Sequence, residues 1–232
     1  MQKYLSSIFP LFIVNLFLGS SLLAETGLET RSRKGFYSSL TIGQFNPEDK
    51  STSTDYFSSK RFGTEYLDNG SSYEFSIGYI TKSGWMSELS YGKYKSNINS
   101  SNYSDDLSDG FPYVLDDKKY DLDLLSASIL KEFNFNNSKF SPYIGAGIGI
   151  GNIHLPSFTL TFNESLTLDS NGGSTEIGSI YKLRGGLSYK TTNKIDIFSE
   201  IDYLVIPSFS HNNIDYSESN ALTIKIGSRY HF

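Results

Sequence analysis

The sequence predicts an all-β fold, an eight-stranded antiparallel up-and-down transmembrane β-barrel with long extracellular loops. Three observations predict it. Apolar and polar residues alternate with a period of two in eight segments, which places successive side chains on opposite faces of a strand. The connections between these segments are alternately short and long, as in outer-membrane barrels. Finally, most of the charged residues within the segments share the polar face.

Composition excludes several classes of protein. The chain has 232 residues and no cysteine, so it has neither a disulfide framework nor a cysteine nucleophile. A formal net charge of -5 without a basic stripe argues against nucleic acid as a partner. Aromatic residues make up 15% of the chain, a content that favours strands and membrane interfaces.

The first 24 residues are predicted to be a cleaved signal peptide. Lys3 precedes an apolar run and small residues follow it, with cleavage expected after Ala24. An uncleaved anchor is the alternative, but Pro10 and Asn15 interrupt a run that is short for a membrane span. We expect a periplasmic segment at 25–34 and an outer-membrane barrel domain at 35–232. No later window approaches twenty apolar residues, so entry into a membrane requires a closed barrel.

The first four strands are predicted in the N-terminal half. In the first, Phe36, Leu40 and Ile42 oppose small polar residues, and the next two alternate in the same way. In the fourth strand the phase becomes ambiguous after Leu124 and Leu125, which predicts a bulge there. The predicted ranges are 35–45, 72–80, 85–94 and 120–133.

The second half repeats the pattern, with a Gly-rich strand followed by a strand–turn–strand unit and a closing strand that ends at Phe232. The ranges of the first three are 141–151, 180–190 and 194–206. Short connections are predicted at 81–84, 134–139 and 191–193, and long ones at 46–71, 95–119, 152–178 and 207–220. An extra hairpin within 46–71 or 152–178 would give ten strands. For 152–178 we favour extensions of the barrel strands above the membrane.

The charged face is predicted to line the lumen. Alternation alone does not decide which face is inside. The loop asymmetry, the aromatic residues near strand ends and the many Gly and Ser residues on the polar face favour lipid outside, since a narrow eight-stranded interior needs small residues beside long ones. Five acids and four bases nearly balance, which predicts a salt-bridged plug. They are Glu74, Glu88, Lys182, Arg184, Asp196, Glu200, Asp202, Lys225 and Arg229.

Three stretches carry a resemblance to a known family. They are "SPYIGAGIGIG", "YKLRGGLSYKTTNKIDIFSEIDYL" and the terminal "TIKIGSRYHF". Together with the signal peptide, they resemble the small outer-membrane barrels grouped with the OmpA transmembrane domain and the opacity-type surface proteins. The resemblance implies outer-membrane lipids and lipopolysaccharide as partners, and the barrel-assembly machinery during biogenesis. It also implies a C-terminal assembly signal formed by Leu222, Ile224, Ile226, Tyr230 and Phe232.

Three functional hypotheses follow. A lipid A-modifying enzyme would need a serine, a histidine and an acid together; His154 with Ser157, or His211 with Ser210, are the candidates near the extracellular loops. A narrow pore for small solutes is the second, although eight strands enclose little more than side chains. We favour the third, a non-enzymatic surface barrel that presents its loops for adhesion or envelope integrity. For this barrel we expect no catalytic residue, no metal and no cofactor. The sequence does not identify an extracellular ligand. The acidic stretch 105–110 is expected to be a solvated loop.

Overall fold

The computed structural model describes residues 34–232, apart from 57–58, 106–107, 113, 116–118, 136–137, 156–157, 163–165, 170–173 and 212–213. Every regular element of the described residues is a β-strand. The described part of the chain holds no helix with the length and apolarity that crossing a bilayer requires. The predicted signal peptide lies outside the described residues. Eight long strands form the wall: β1 (Gly35–Pro47), β4 (Gly70–Ile80), β5 (Trp85–Asp105), β8 (Lys119–Glu132), β9 (Phe140–Leu155), β12 (Ser174–Lys190), β13 (Ile195–Ile206) and β16 (Ser219–His231).

These eight strands close into an antiparallel ring. Their order is β5-β4-β1-β16-β13-β12-β9-β8, and pairing of β5 with β8 completes the circle. Each strand therefore pairs with its neighbours in sequence, except at the seam where β1 meets β16, with Tyr37 opposite His231. The predicted eight-stranded up-and-down barrel is confirmed.

Shorter strands lie in the long connections between the wall strands. They are β2 (Lys50–Tyr56), β3 (Ser59–Leu67), β6 (Ser108–Pro112), β7 (Val114–Leu115), β10 (Phe158–Phe162), β11 (Leu166–Asp169), β14 (Phe209–His211) and β15 (Ile214–Tyr216). In the hairpin of β2 and β3, β2 pairs with β15 and β3 pairs with the far end of β5. This repeats the pairing of the barrel strands below, where β1 pairs with β16 and β4 with β5. The hairpin of β10 and β11 joins β7 in a separate three-stranded sheet. Neither hairpin adds a strand to the barrel, and the β2–β3 hairpin extends its wall.

Several bounds of the predicted strands, and one predicted bulge, are wrong. β5 spans 21 residues instead of the ten predicted at 85–94, because it runs on into the extension. β9 and β12 likewise run past the ranges 141–151 and 180–190 that were predicted for them. The bulge expected after Leu124 and Leu125 is absent from β8, which keeps one register with β5 and with β9. Leu122 and Leu124 face inward, while Asp121 and Asp123 face outward. The apolar pattern therefore changes face near the extracellular end, and this change made the phase look broken.

The short turns are built by local hydrogen bonds. The N–H of Gly84 donates to the carbonyl of Thr81 at 3.0 Å, and the Thr81 N–H donates to the carbonyl of Trp85 at 2.8 Å. Gly84 has a φ of 83°, a left-handed conformation that glycine adopts without steric cost. A tight hairpin end of this kind fixes the register of β4 against β5.

The outer surface carries an apolar band between two aromatic belts. Tyr73, Tyr91, Tyr181 and Tyr203 are exposed toward the extracellular side. Just beyond them, the outward-facing pair Lys93 and Asp123, with Nζ 3.4 Å from the carboxylate, marks the upper limit of the band. Near the short turns, lysines lie over outward-facing rings: Lys131 over Trp85, Lys139 over Tyr189 and Lys194 over Tyr230. Aromatic belts with lysines at their polar edge are typical of membrane interfaces.

Candidate functional site in the barrel lumen

The interior of the barrel has three layers. The lower layer, near the short turns, is an apolar cluster of Tyr37, Ile80, Met86, Leu130, Tyr143 and Phe198. The upper layer is a larger apolar cluster of Phe45, Tyr94, Ile98, Tyr120, Leu122, Leu124, Ile153, Ile180, Leu204, Ile206, Tyr216 and Ala221. Between them lies the central charge network: Glu74, Glu88, Lys182, Arg184, Glu200, Asp202 and Lys225. Charged groups are thus held between two layers that exclude water.

Arg184 on β12 is the centre of the central charge network. Its guanidinium contacts the carboxylate of Glu88 on β5. Its Nη2 also donates to both oxygens of Glu200 on β13, at 3.0 and 2.8 Å. The carboxylate of Glu74 lies 3.7 Å from Nη2 of Arg184, and that of Asp202 lies 3.7 Å from its Nε. One planar, always-charged side chain therefore connects three other strands of the wall.

Two lysines complete the network. Nζ of Lys225 lies 2.6 Å from Asp202, 2.8 Å from Glu200 and 3.3 Å from Glu74. Nζ of Lys182 lies 2.7 Å from Glu74 and 3.2 Å from Asp202. Lys182 is on β12 and Glu74 on β4, which stand four strands apart in the ring, so this contact crosses the full diameter of the lumen. Both lysine side chains have zero exposure.

Three tyrosines donate hydrogen bonds to the carboxylates. Tyr94 from the upper layer donates to Glu74 at 2.8 Å. Tyr143 from the lower layer donates to Glu200 at 3.0 Å. Tyr37, also in the lower layer, donates to Glu88 at 3.1 Å. The network has four carboxylates and only three cations, so the phenols supply additional hydrogen-bond donors to the carboxylate oxygens. They also connect the charged layer to both apolar layers.

Two of the nine predicted charges lie apart from this network. Arg229 is in the lower layer, with Nη1 3.4 Å from Glu132 and its guanidinium carbon 4.8 Å from the ring centroid of Tyr37. Asp196 is 2.7 Å from Nε2 of His231. Their partners Glu132 and His231 are not among the charged residues predicted for the lumen. The period-two alternation does place both on the inward face, since Glu132 lies two residues after Leu130 and His231 two residues after Arg229.

The network does not have the character of a metal site. Glu74, Glu200 and Asp202 bring carboxylate oxygens within 4.8 Å of one another, a spacing that a cation could bridge. Lys182 and Lys225 already contact these oxygens, so ammonium groups supply the positive charge. Buried carboxylates are tolerated when paired in this way, and removal of one partner is costly.

Glycines make room for the long side chains. On β9, Gly147 faces Lys182 and Gly145 faces Arg184 across the strand pair. A Cβ at Gly43 would lie 2.6 Å from Cγ of Lys225. Because this contact is shorter than real Cβ contacts, a larger residue at Gly43 would displace the side chain of Lys225. At Gly147 an added Cβ would instead lie 2.3 Å from the hydroxyl oxygen of Ser128 on β8.

Neighbouring glycines on β12 allow a matched test of this packing. Gly186 faces inward, where a Cβ would lie 2.4 Å from the hydroxyl of Tyr143, whereas at the outward Gly185 the nearest atom is 4.0 Å away. We expect Gly186→Val to lower the free energy of unfolding by about 1–3 kcal/mol through overpacking. Gly185→Val is expected to leave it nearly unchanged. Urea unfolding of both variants in lipid vesicles measures the difference, and equal effects would contradict a filled lumen.

The enzyme candidates are not brought together in the described part of the chain. His154 on β9 faces outward, with Nε2 3.7 Å from the carboxylate of Asp123. Ser210 on β14 donates to Asp215. Ser157 and the side chain of His211 lie outside the described residues, as do the side chains of the acidic stretch 105–110. The residues of the expected assembly signal lie on the lipid-facing side of β16 and just after it, and their role in assembly stays a prediction.

The closed ring, its lipid-facing band and its charged, filled interior define a small transmembrane β-barrel of the outer-membrane class. Residues 15–232 match the family described as outer membrane protein beta-barrel domain. The chain belongs to this family, and it is an outer-membrane protein.

Solved structures agree on the fold. Neisserial surface protein A is similar with a TM-score of 0.53 and 18% identity, over 85% of this chain and 97% of that chain. OprG from Pseudomonas aeruginosa is similar with a TM-score of 0.52 and 14% identity, over 87% of this chain and 99% of that chain. A comparison with curated proteins finds no match. At these identities the likeness extends to the fold alone.

Proposed function

We propose that this protein is a non-conducting, non-enzymatic surface barrel that displays its extracellular strands and loops for adhesion or envelope integrity. The observation that carries the proposal is the central charge network, which crosses the lumen between two apolar layers. A membrane barrel whose interior is closed has its outer rim available for contact with other molecules.

Closure of the lumen follows from the contacts. An ion that crossed the barrel would have to separate Lys182 from Glu74 and Arg184 from Glu88, and these contacts span the lumen between distant strands. Each separation would leave a buried charge without its partner, which is strongly unfavourable. Above and below, the ion would also have to pass two clusters of buried, largely apolar side chains. We therefore favour a plug over the pore alternative.

The extracellular extension supports a role at the surface. β5 alone runs for 21 residues, and the β2–β3 hairpin paired with it carries the wall beyond the aromatic belt. Tyr66 on β3 is exposed there. The similar neisserial protein is named as a surface protein. For this chain the surface role is our proposal, and loops or extensions held on a rigid scaffold are where binding residues commonly lie.

The experiment that tests the plug is a conductance measurement. The mature chain is refolded into lipid, and a difference in gel migration between unheated and boiled samples verifies folding. We expect no single-channel steps in a planar bilayer. A Lys182→Ala/Arg184→Ala variant removes two of the side chains that cross the lumen and is expected to show steps. Reproducible steps from the wild-type barrel would contradict the plug and favour transport.

The surface role has its own readout. Cells that express the protein are compared with cells that do not, for attachment to host-cell or abiotic surfaces and for resistance to bile-salt detergent. An increase in either supports the proposal. No change in either, together with an altered lipid A profile, would contradict it and favour the enzyme alternative.

A further inference from the structure

Lys50 is a buried cation in the upper interior, and among the side chains that the structure describes it has no anionic partner. It begins β2 at the extracellular end, and the residue is 1% exposed. Its Nζ lies 4.4 Å from the ring centroid of Tyr120 and 5.3 Å from that of Phe209. Among the residues whose side chains the structure describes, none accepts a hydrogen bond from this Nζ. Ring faces replace only part of the hydration that an ammonium loses on burial.

Two more unsatisfied donors lie in the same region. The hydroxyl of Tyr120, whose ring is beneath Nζ, is buried and has no hydrogen-bond partner within the described part of the chain. The same holds for the hydroxyl of Ser219, the first residue of β16. Backbone hydrogen bonds from Glu48 to Asn220 and from Ser217 to Ser51 place Ser219 across from the start of β2. Three strands thus direct an ammonium and two hydroxyls into one end of the lumen.

The contrast with the central charge network shows what is missing. Lys182 contacts two carboxylates and Lys225 contacts three, while Lys50 has ring faces in their place. Buried polar groups are normally paired, so unpaired ones call for an explanation such as a ligand. The donors here need an acceptor that carries negative charge.

The walls indicate the rest of the ligand. Phe209 and Leu67 are partly buried and pack against the upper apolar cluster, and Phe209 stacks on Tyr216 at a centroid distance of 4.8 Å. A strongly hydrated inorganic anion would gain nothing from such surroundings. An organic acid would place its carboxylate at Lys50 and its apolar body against these rings.

We propose that Lys50, Tyr120 and Ser219 form a binding site for the carboxylate of a small organic acid with an apolar body. The site lies above the central charge network and at the extracellular mouth. The proposed binding of the acid is independent of the proposed function: it holds whether or not ions cross the central charge network, and whatever the extracellular loops contact.

The test uses the folded full barrel in lipid nanodiscs, with 4-fluorophenylacetate as the probe and its ¹⁹F line width as the readout. We expect saturable broadening with the wild-type protein and none with empty nanodiscs. The neutral analogue 4-fluorophenylacetamide is expected to bind at least about tenfold more weakly, because it lacks the charge that Lys50 attracts. Excess inorganic phosphate is expected not to displace the acid.

Three variants separate the site from general effects of charge. Lys50→Met is expected to weaken binding of the acid at least about tenfold, Lys50→Arg to retain most of it, and the exposed Lys95→Met to leave it unchanged. Equal broadening for acid and amide, absence of broadening with the wild-type barrel, or unchanged binding in folded Lys50→Met would each overturn the proposal. If Lys50→Met fails the gel-migration test of folding, the acid–amide comparison on the wild-type barrel decides alone.

Discussion

Replacement of Arg184 by Met is expected to lower the free energy of unfolding by about 3–5 kcal/mol, because removal of one member of a buried ionic cluster leaves the others unpaired. Methionine fills much of the same volume, so the loss comes from charge more than from packing. Glu88 would lose its cationic partner, and Glu200 would retain only Lys225 among the contacts described above. Urea unfolding in lipid vesicles, followed by the fluorescence of the single tryptophan, Trp85, measures this loss. Trp85 faces outward, so its emission reports removal of the wall from lipid.

The matched control is Lys93→Met, which removes a cation from the outer surface. Lys93 pairs with Asp123 at 3.4 Å, but its side chain is 51% exposed. Exposed pairs contribute about 0–1 kcal/mol, so a small change is expected. If Arg184→Met were as mild as this control, the four carboxylates would not depend on Arg184, and the idea of a mutually dependent plug would be wrong.

The opposite face of the same strand gives the second prediction. Leu183 precedes Arg184 on β12 but points toward lipid and is 57% exposed. We expect Leu183→Arg to lower the free energy of unfolding by about 2–4 kcal/mol, the cost of arginine near the midplane of a membrane barrel. Arginine is therefore required at position 184, where it meets carboxylates in the lumen, and harmful at position 183, where it would meet hydrocarbon. The two positions differ because successive side chains of a strand point to opposite faces. The same vesicle-based unfolding measures the effect.

Ser179→Arg on the same strand and the same outward face is the control. Ser179 lies nearer the extracellular end, beyond Tyr181 of the upper aromatic belt. The cost of arginine there falls to about 0–1 kcal/mol, because its charge reaches water and lipid headgroups. Equal losses at 183 and 179 would mean that depth in the bilayer does not decide the outcome, and the position of the apolar band would need revision.

Most of the fold could be predicted from local pattern. In β13 and β16, acids and bases alternate with Ile, Tyr and Val, so the faces of the strands are readable without the structure. The inside–outside assignment needed only loop lengths, aromatic positions and small residues. Register between strands was not predicted, although pairs such as Arg184 opposite Asp202 follow once the ring is closed.

The interior beyond the charges could not be predicted, for a physical reason. A period-two pattern gives the face of a residue but not its height in the barrel. Tyr120, Leu122 and Leu124 look like lipid-facing residues, yet they face inward because the upper lumen is apolar and the outer surface there is wet. The partners within the central charge network were equally hidden, since Lys182 meets Glu74 only by crossing the closed ring. Lys50 falls within the long connection predicted at 46–71, because the break after β1 obscures the start of β2.

The seam between β1 and β16 has a consequence for biogenesis. Seven of the eight junctions in the ring join barrel strands that are consecutive in the chain, whereas this one joins Tyr37 to His231. Contacts between such distant residues form slowly, and until they form both seam strands present unpaired backbone groups on which other chains can aggregate. We therefore expect closure of this seam to be the slow step in the folding of the barrel. A chaperone that shields the nascent sheet, or a catalyst that aligns the two terminal strands, would accelerate or protect that step.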